Sequence, residues 1–310
     1  MMDTIKKIRE GARLRPKTVV LPESEDQRVL EAAKFIENEK IAKVILLGKD
    51  KINDKDKEYY IKEFYQLRKA KGVKMQEVKK IFESPLYCAA MMVRSGKADA
   101  FVAGASNTTP DVARAAIWCL GVDERMKIAS SAFIMVAPNS CHGEKGTLIF
   151  ADCGIVPDPN PRQMACIAIE SAGLAKRVLG IKPRVALLSY STKGSAKGKS
   201  IDKVREALGI LREMAPELSA DGEIQVDAAI VPEVAKIKHP QSPLGGKANV
   251  LIFPNLDAGN IGYKLVQRLA GARAVGPLLL GLNAPCSDMS RGCSVEDIVD
   301  CVAAVSIMAK

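Results

Sequence analysis

Apolar positions along this chain fall into short runs separated by amphipathic stretches of helical period. Residues 18–21 and 43–48 are two such runs, each the length of a buried strand. Between them Val29, Leu30, Ala33 and Ile36 recur at helical spacing. That predicts a helix ending near Glu39 and a β-α-β unit on a parallel sheet. The rhythm continues to the end of the chain. Helices are expected over 85–95, 162–179, 200–215 and 258–269, with strands over 98–104, 127–137, 147–151, 184–188, 225–230, 248–254 and 274–280. A further helix starts with Thr109 as N-cap and Pro110 at its first position. Residues 50–80, rich in Lys, Glu and Tyr, read as solvated helices outside the first domain, without chemistry. Asn139, Gly143 and Gly146 break the pattern over 138–146 and mark a domain boundary. The chain is therefore α/β, with two α/β domains and a cleft between them.

The stretch 286–297 stands apart because it is polar and chemically dense between apolar neighbours. It holds Asp288, Ser290, Arg291, Gly292 and Ser294. Val295, Ile298, Val299, Val302 and Val305 follow near helical spacing, so a helix begins near Ser294. Ser294 is a good N-cap, and Asp297 completes a carboxylate version of the capping box. A helix N-terminus carries free N–H groups and partial positive charge. With the Arg291 fork just ahead of it, the stretch suits an anion, phosphate above all.

Composition narrows the partners. The 310 residues carry a formal net charge of +10, with 47% hydrophobic and 26% charged positions. A positive field favours an anionic ligand. Aromatics are only 5%, and no basic run interleaves with them, which argues against nucleic acid. No apolar run reaches membrane-spanning length, and the charged start lacks the apolar core of a signal peptide. The expected setting is the cytoplasm, with no membrane partner. The eight cysteines form no C-x-x-C pair, so neither a zinc knuckle nor a dithiol redox motif is signalled.

Several motifs compete for the chemistry. The loop 193–200 follows a strand and opens a helix, but only Ser195, Ala196 and Lys197 separate its glycines. A triphosphate-wrapping loop needs four intervening residues. No G-x-G-x-x-G follows a strand, and His142 and His239 are the only histidines. That argues against a dinucleotide dehydrogenase and a Ser-His-Asp hydrolase. Acid–base work then falls to a carboxylate or a lysine. Asp297 is the best placed, either as a base or simply as the cap of its helix. Asn255 to Lys264, including Tyr263 and Lys264, follows an apolar strand at the end where ligands bind in parallel sheets. Its alternative is a helix start with two glycines for close packing. Ser130 and Ser131 could donate to phosphate oxygens or could be small strand residues.

Taken together, these residues resemble the phosphate acetyltransferase (phosphotransacetylase) family over nearly the whole chain. The resemblance lies in Val20-Leu21-Pro22-Glu23 with Arg28-Val29-Leu30-Glu31, in the segment 98–105, in Phe150-Ala151-Asp152-Cys153 and in 226–235. Its most specific parts are Asp257-Ala258-Gly259-Asn260-Ile261-Gly262-Tyr263-Lys264 and Asp288-Met289-Ser290-Arg291-Gly292-Cys293-Ser294. The resemblance implies reversible acetyl transfer between acetyl phosphate and coenzyme A without a covalent acyl-enzyme. The alternatives are a propionyl or butyryl preference, or a non-catalytic module binding CoA or phosphate. It implies an isocitrate dehydrogenase-like topology, with a first domain of 1–140 plus 281–310 and an inserted second domain of 141–280. It also implies a homodimer, CoA as substrate, no tightly bound cofactor and no metal. By the same resemblance Asp297 takes the thiol proton, Arg291 and Ser290 hold phosphate and developing charge, and Ser131, Tyr263 and Lys264 line the acyl phosphate site. The chain departs from the family pattern at Ala284, Cys286 and Ser287.

Overall fold

The structure, a computed structural model, describes residues 2–48 and 52–309. The outermost positions of the expected first domain, 1 and 310, and the start of the expected 50–80 helical stretch lie outside the described residues. The strands are β1 (Thr18–Leu21), β2 (Lys43–Leu46), β3 (Ala100–Ala103), β4 (Ser130–Val136), β5 (Thr147–Ala151), β6 (Arg184–Leu188), β7 (Ser219–Ile224), β8 (Val250–Ile252), β9 (Arg273–Leu280) and β10 (Cys286–Asp288). The architecture is mixed α/β, in two compact units. One takes Ile8–Asp123 and the chain from Leu282 onward; the other takes the chain up to Lys7 and Glu124–Gly281. The boundary expected at 140 thus falls inside the second of these units. β4 belongs there because it is hydrogen-bonded on both sides, to β5 and to β9.

The first unit is built on four parallel strands in the order β2-β1-β3-β10. All four residues of β3 are buried, as expected for a parallel sheet covered on both faces. The Gln27–Asn38 helix explains itself locally. Asp26 caps it by accepting from the Arg28 N–H, and Val29, Ala32, Ala33 and Ile36 form its buried stripe. The Val295–Met308 helix packs on that helix and on β3, and the Pro85–Arg94 helix packs on Thr109–Leu120. The N-cap of the last of these is Thr108, one residue earlier than expected, with Pro110 inside the first turn.

The second unit carries the order β9-β4-β5-β8-β6-β7. β4 runs antiparallel to β5 and β9, and the other pairings are parallel. Its core gathers Phe133, Phe150, Leu188, Leu251 and Tyr263.

Two expectations are corrected. Residues 225–230 are not a strand: Val226–Ile230 is a helix, and the strand precedes it as β7. The sequence of β7, Ser-Ala-Asp-Gly-Glu-Ile, conceals a strand because its buried Asp221 and Glu223 look solvated until their partners are known. Residues 286–288, the start of the polar stretch, are a fully buried strand paired in parallel with β3. The helices Asp54–Arg68 and Met75–Ile81 are not simply solvated. Tyr60, Phe64 and Val78 are buried, and Phe64 meets Phe82 edge-on at 5.4 Å. An amphipathic helix, Met2–Leu14, also opens the chain where none was expected. Among the described residues no helix is long and apolar enough to cross a membrane.

Candidate active site

In the first unit, β10 ends at Asp288 and delivers the chain to an exposed turn. Cys293 N donates to Ser290 O at 2.9 Å, and Gly292 N donates to Ser290 Oγ at 3.2 Å. Ser290, Arg291 and Gly292 are all exposed. The Arg291 guanidinium has no hydrogen-bond or carboxylate partner among the described residues. The turn runs directly into the Val295–Met308 helix, capped reciprocally. Ser294 N donates to Asp297 Oδ2 at 2.9 Å, and Asp297 N donates to Ser294 Oγ at 3.2 Å. The capping interaction uses one oxygen of Asp297, and Oδ1 remains without a hydrogen-bond partner among the described residues. Ser290, Arg291 and Asp297 therefore share one turn and one helix start, with an unpaired cation and a half-used carboxylate beside free N–H groups.

Two buried carboxylates underlie this turn, and neither was singled out from the sequence for a role. Glu23, 7% exposed, accepts from four successive main-chain N–H groups. These are Gly104 at 3.0 Å, Ala105 at 2.8 Å, Ser106 at 3.0 Å and Asn107 at 2.8 Å. The Asn107 side-chain amide adds a fifth bond at 2.7 Å. The loop after β3 is thus a nest of N–H groups closed around an internal carboxylate. Asp288, 1% exposed, has no hydrogen bond to either oxygen. Burial, helped by the Glu23 charge, pushes its carboxyl up to about 7; Thr109 opposes the shift without hydrogen-bonding geometry. The two loops touch closely. A Cβ on Gly104, whose φ is +108°, would stand 2.4 Å from Met289 O and 2.5 Å from Asp288 Oδ1, so only glycine fits. Signals for this arrangement existed in the sequence: an acidic residue just after a strand, and a glycine where β3 ends.

The other expected residues lie in the second unit. Ser131 on β4 is fully buried; its hydroxyl donates to Asp152 Oδ1 and its N–H to Asp152 Oδ2 at 3.3 Å. Asp152 also accepts from Gly154, Ile155 and Val156 at 2.7 to 3.1 Å. Burial nevertheless raises its carboxyl above the ordinary range, against those hydrogen bonds. The Ser131 side chain is therefore committed to ordering the loop after β5. Tyr263 is buried and stacks on Phe133 with centroids 4.1 Å apart, while Lys264 is exposed with its ammonium 5.2 Å from the Tyr263 ring centre. Their helix, Leu256–Leu269, lies hard against the same loop. A Cβ on Gly259 would be 2.2 Å from Asp152 O, and Asn260 Nδ2 donates to Cys153 O at 3.0 Å. That explains the glycine and asparagine of this segment by packing.

The loop 193–200 is occupied by its own chain. Lys193 pairs with Asp221 at 3.0 Å, Gly194 N donates to Glu223 at 2.8 Å, and Arg205 pairs with Glu223 at 2.8 Å. Burial favours the neutral Glu223, but the Arg205 guanidinium and the Gly194 N–H outweigh it and hold the carboxyl down at about 2. Of the loop's cations, Lys193 is neutralised by Asp221 of β7. Cys286 and Ser287, where the chain departs from the family pattern, are fully buried on β10. Seven of the eight cysteines are buried, and Cys141 is exposed.

A family model described as phosphate acetyl/butaryl transferase matches residues 3–306. The phosphate acetyltransferase of Thermoanaerobacterium thermosaccharolyticum is 45% identical over 328 residues, covering 100% of both chains. That of Acetivibrio thermocellus is 46% identical, covering 100% of this chain and 99% of the relative. A phosphotransacetylase from Streptococcus pyogenes matches with a TM-score of 0.90 at 34% identity, over 99% of this chain and 98% of that one.

Proposed function

The chain belongs to the phosphate acetyl/butaryl transferase family and is a phosphate acetyltransferase; from that premise we propose that the CoA thiolate attacks acetyl phosphate directly, in a ternary complex. The isocitrate dehydrogenase-like topology, the homodimer and the cytoplasmic setting belong to the same reading. So do the family roles of Ser131, Tyr263 and Lys264, of which Lys264 has the exposed charge that role requires.

The observation that carries the mechanism is the unpaired, exposed Arg291 on a turn that opens a helix with Asp297 in its first turn. A free thiol has a pKa of about 8.5, so at neutral pH only a few per cent is thiolate. Asp297, through Oδ1, takes the thiol proton. The sulfur forms a bond to the acetyl carbonyl carbon, and the carbonyl electrons move to oxygen. On collapse the bond between the acetyl carbon and the bridging oxygen breaks, and phosphate leaves with that oxygen and the electron pair. The proton passes from Asp297 to solvent or to the departing phosphate. Arg291 balances the phosphate charge, and the Ser290 hydroxyl and the free N–H groups of Val295 and Glu296 at the helix start donate to phosphate oxygens. Every step reverses for acetyl-CoA and phosphate.

The test is turnover of acetyl-, propionyl- and butyryl-CoA by the purified protein with phosphate or arsenate. Acetyl-CoA is expected to be the best substrate. A butyryl preference would replace the acetyl assignment, and no turnover with any acyl-CoA would leave a binding module.

A further inference from the structure

The Arg28 side chain lies outside the expected site, yet every one of its donors is used. Nε donates to Asp26 Oδ1 at 3.0 Å; Nη2 donates to Asp26 Oδ2 at 2.7 Å and to Ala105 O at 2.8 Å. Nη1 donates to Arg291 O at 2.8 Å and to Cys293 O at 2.9 Å. A guanidinium has five N–H donors, and here five bonds reach three separate segments. These are the cap of the Gln27–Asn38 helix, the loop after β3 and the turn after β10. The geometry assigns Arg28 as a positioning residue for the acyl phosphate site. This inference rests on reading the 290–293 turn as that site.

The physical argument is one of restraint. The turn is exposed, and its own bonds run only between Ser290 and the two residues Gly292 and Cys293. Those bonds fix its shape but not its place. Arg28 grips the carbonyls on both sides of Gly292, which fixes the direction of the Arg291 side chain and of the N–H groups beside it. Its third anchor, Ala105, is itself held by Glu23 through the Ala105 N–H at 2.8 Å. Asp26 locks the fork in plane and, through its hydrogen bond, raises the Arg28 pKa further, so the clamp stays charged. A lysine at this position keeps the charge but offers three donors from one point, and cannot span the three segments.

Arg28→Lys separates placement from charge. In the variant, kcat for phosphate-dependent acetyl-CoA cleavage is expected to fall by about 10- to 100-fold, the scale of a small misplacement. The KM for phosphate should rise about tenfold, while the KM for acetyl-CoA changes less than about twofold. A second readout needs no turnover. Cys293 is 7% exposed and packs against Arg28, with Nη1 to Sγ at 3.9 Å. Iodoacetamide should label Cys293 several-fold faster in the variant, as resolved by peptide mapping. Cys88, Cys119 and Cys301, fully buried in the same unit, should stay protected. Unchanged kinetics together with unchanged Cys293 protection overturn the proposal. So does equal labelling of all four cysteines, which would make Arg28 a general stabiliser. A wild type without turnover would sink the assigned reaction, and the labelling ratio would still decide whether Arg28 clamps the turn.

Discussion

Asp297→Asn separates the base from the helix cap, because the two duties use different properties of one side chain. The cap is a hydrogen bond from Ser294 N to Oδ2, and an asparagine oxygen can accept the same bond. What the variant loses in stability is the carboxylate charge at the helix N-terminus, worth about 0.3 to 1 kcal/mol. For a chain of this size that corresponds to a Tm change of about 2 to 4 °C at most. What it loses in catalysis is the proton acceptor, typically about 10²- to 10⁴-fold in rate, or roughly 3 to 5.5 kcal/mol of barrier. The control is Ser294→Ala. It removes the hydroxyl that accepts from Asp297 N at 3.2 Å, at a cost of about 1 kcal/mol, and leaves the carboxylate in place. Thermal melts and steady-state rates on both variants, taken in the acetyl-CoA-forming direction, should separate. Both variants lose at most a few degrees of Tm, but only Asp297→Asn loses its rate; Ser294→Ala keeps its rate within several-fold. The pH profile adds a second check. Between pH 7 and 8.5 the thiolate fraction of free CoA rises from about 3% to about 50%, so the Asn variant should recover about 15-fold as solvent supplies the nucleophile. An Asn variant within tenfold of wild type, or two variants that lose rate in proportion to Tm, would refute Asp297 as the base.

Arg291→Ala should raise the KM for acetyl phosphate by about 10- to 100-fold, the worth of a charge-assisted hydrogen bond; an unchanged KM would remove Arg291 from the phosphate site. Asp288 has a folded pKa of about 7, above its ordinary 3.8, so its stabilising contribution is complete below pH 3.8 and is lost as pH rises through 7. Asp288→Asn should therefore flatten the dependence of Tm on pH between 4 and 8, removing a term on the order of 4 kcal/mol; an unaltered slope would contradict the buried, proton-retaining carboxyl. Glu223 is held at about 2, below its ordinary 4.5, so its contribution is present above pH 4.5 and is lost as pH falls towards 2. Glu223→Gln should lower Tm at pH 7 and lose less stability than wild type on acidification, because Lys193, Gly194 and Arg205 no longer close on a carboxylate. Gly259→Ala should lower Tm by several degrees and raise the exposure of Cys153, since its Cβ must displace Asp152 O from 2.2 Å; a neutral substitution would contradict the close packing.

How much of this was legible in the sequence depends on whether a residue's partners were near it in the chain. The helix start at Ser294 and Asp297 was readable because the cap and its partner are three residues apart, and the pattern of such boxes is local. Apolar strands such as β1, β3 and β5 were readable for the same reason: their burial follows from their own composition. β7 was not, because Asp221 and Glu223 are tolerable in a buried strand only with Lys193, Arg205, Ser242 and His239 around them, and those come from distant segments. Arg28 poses the same problem at the functional level. Read locally it is one charged residue near the start of an amphipathic helix, and a solvated role would suit it. Its five acceptors include Ala105, Arg291 and Cys293, and nothing in the chain's periodicity brings those carbonyls together. The turn that presents Arg291 can be recognised from its own residues, but its rigidity comes from Arg28 at a helix start more than 250 positions away. The residues proposed to meet the substrate are thus marked by motif. What Glu23, Arg28 and the glycine at 104 hold in place emerges by following each donor and acceptor to its partner.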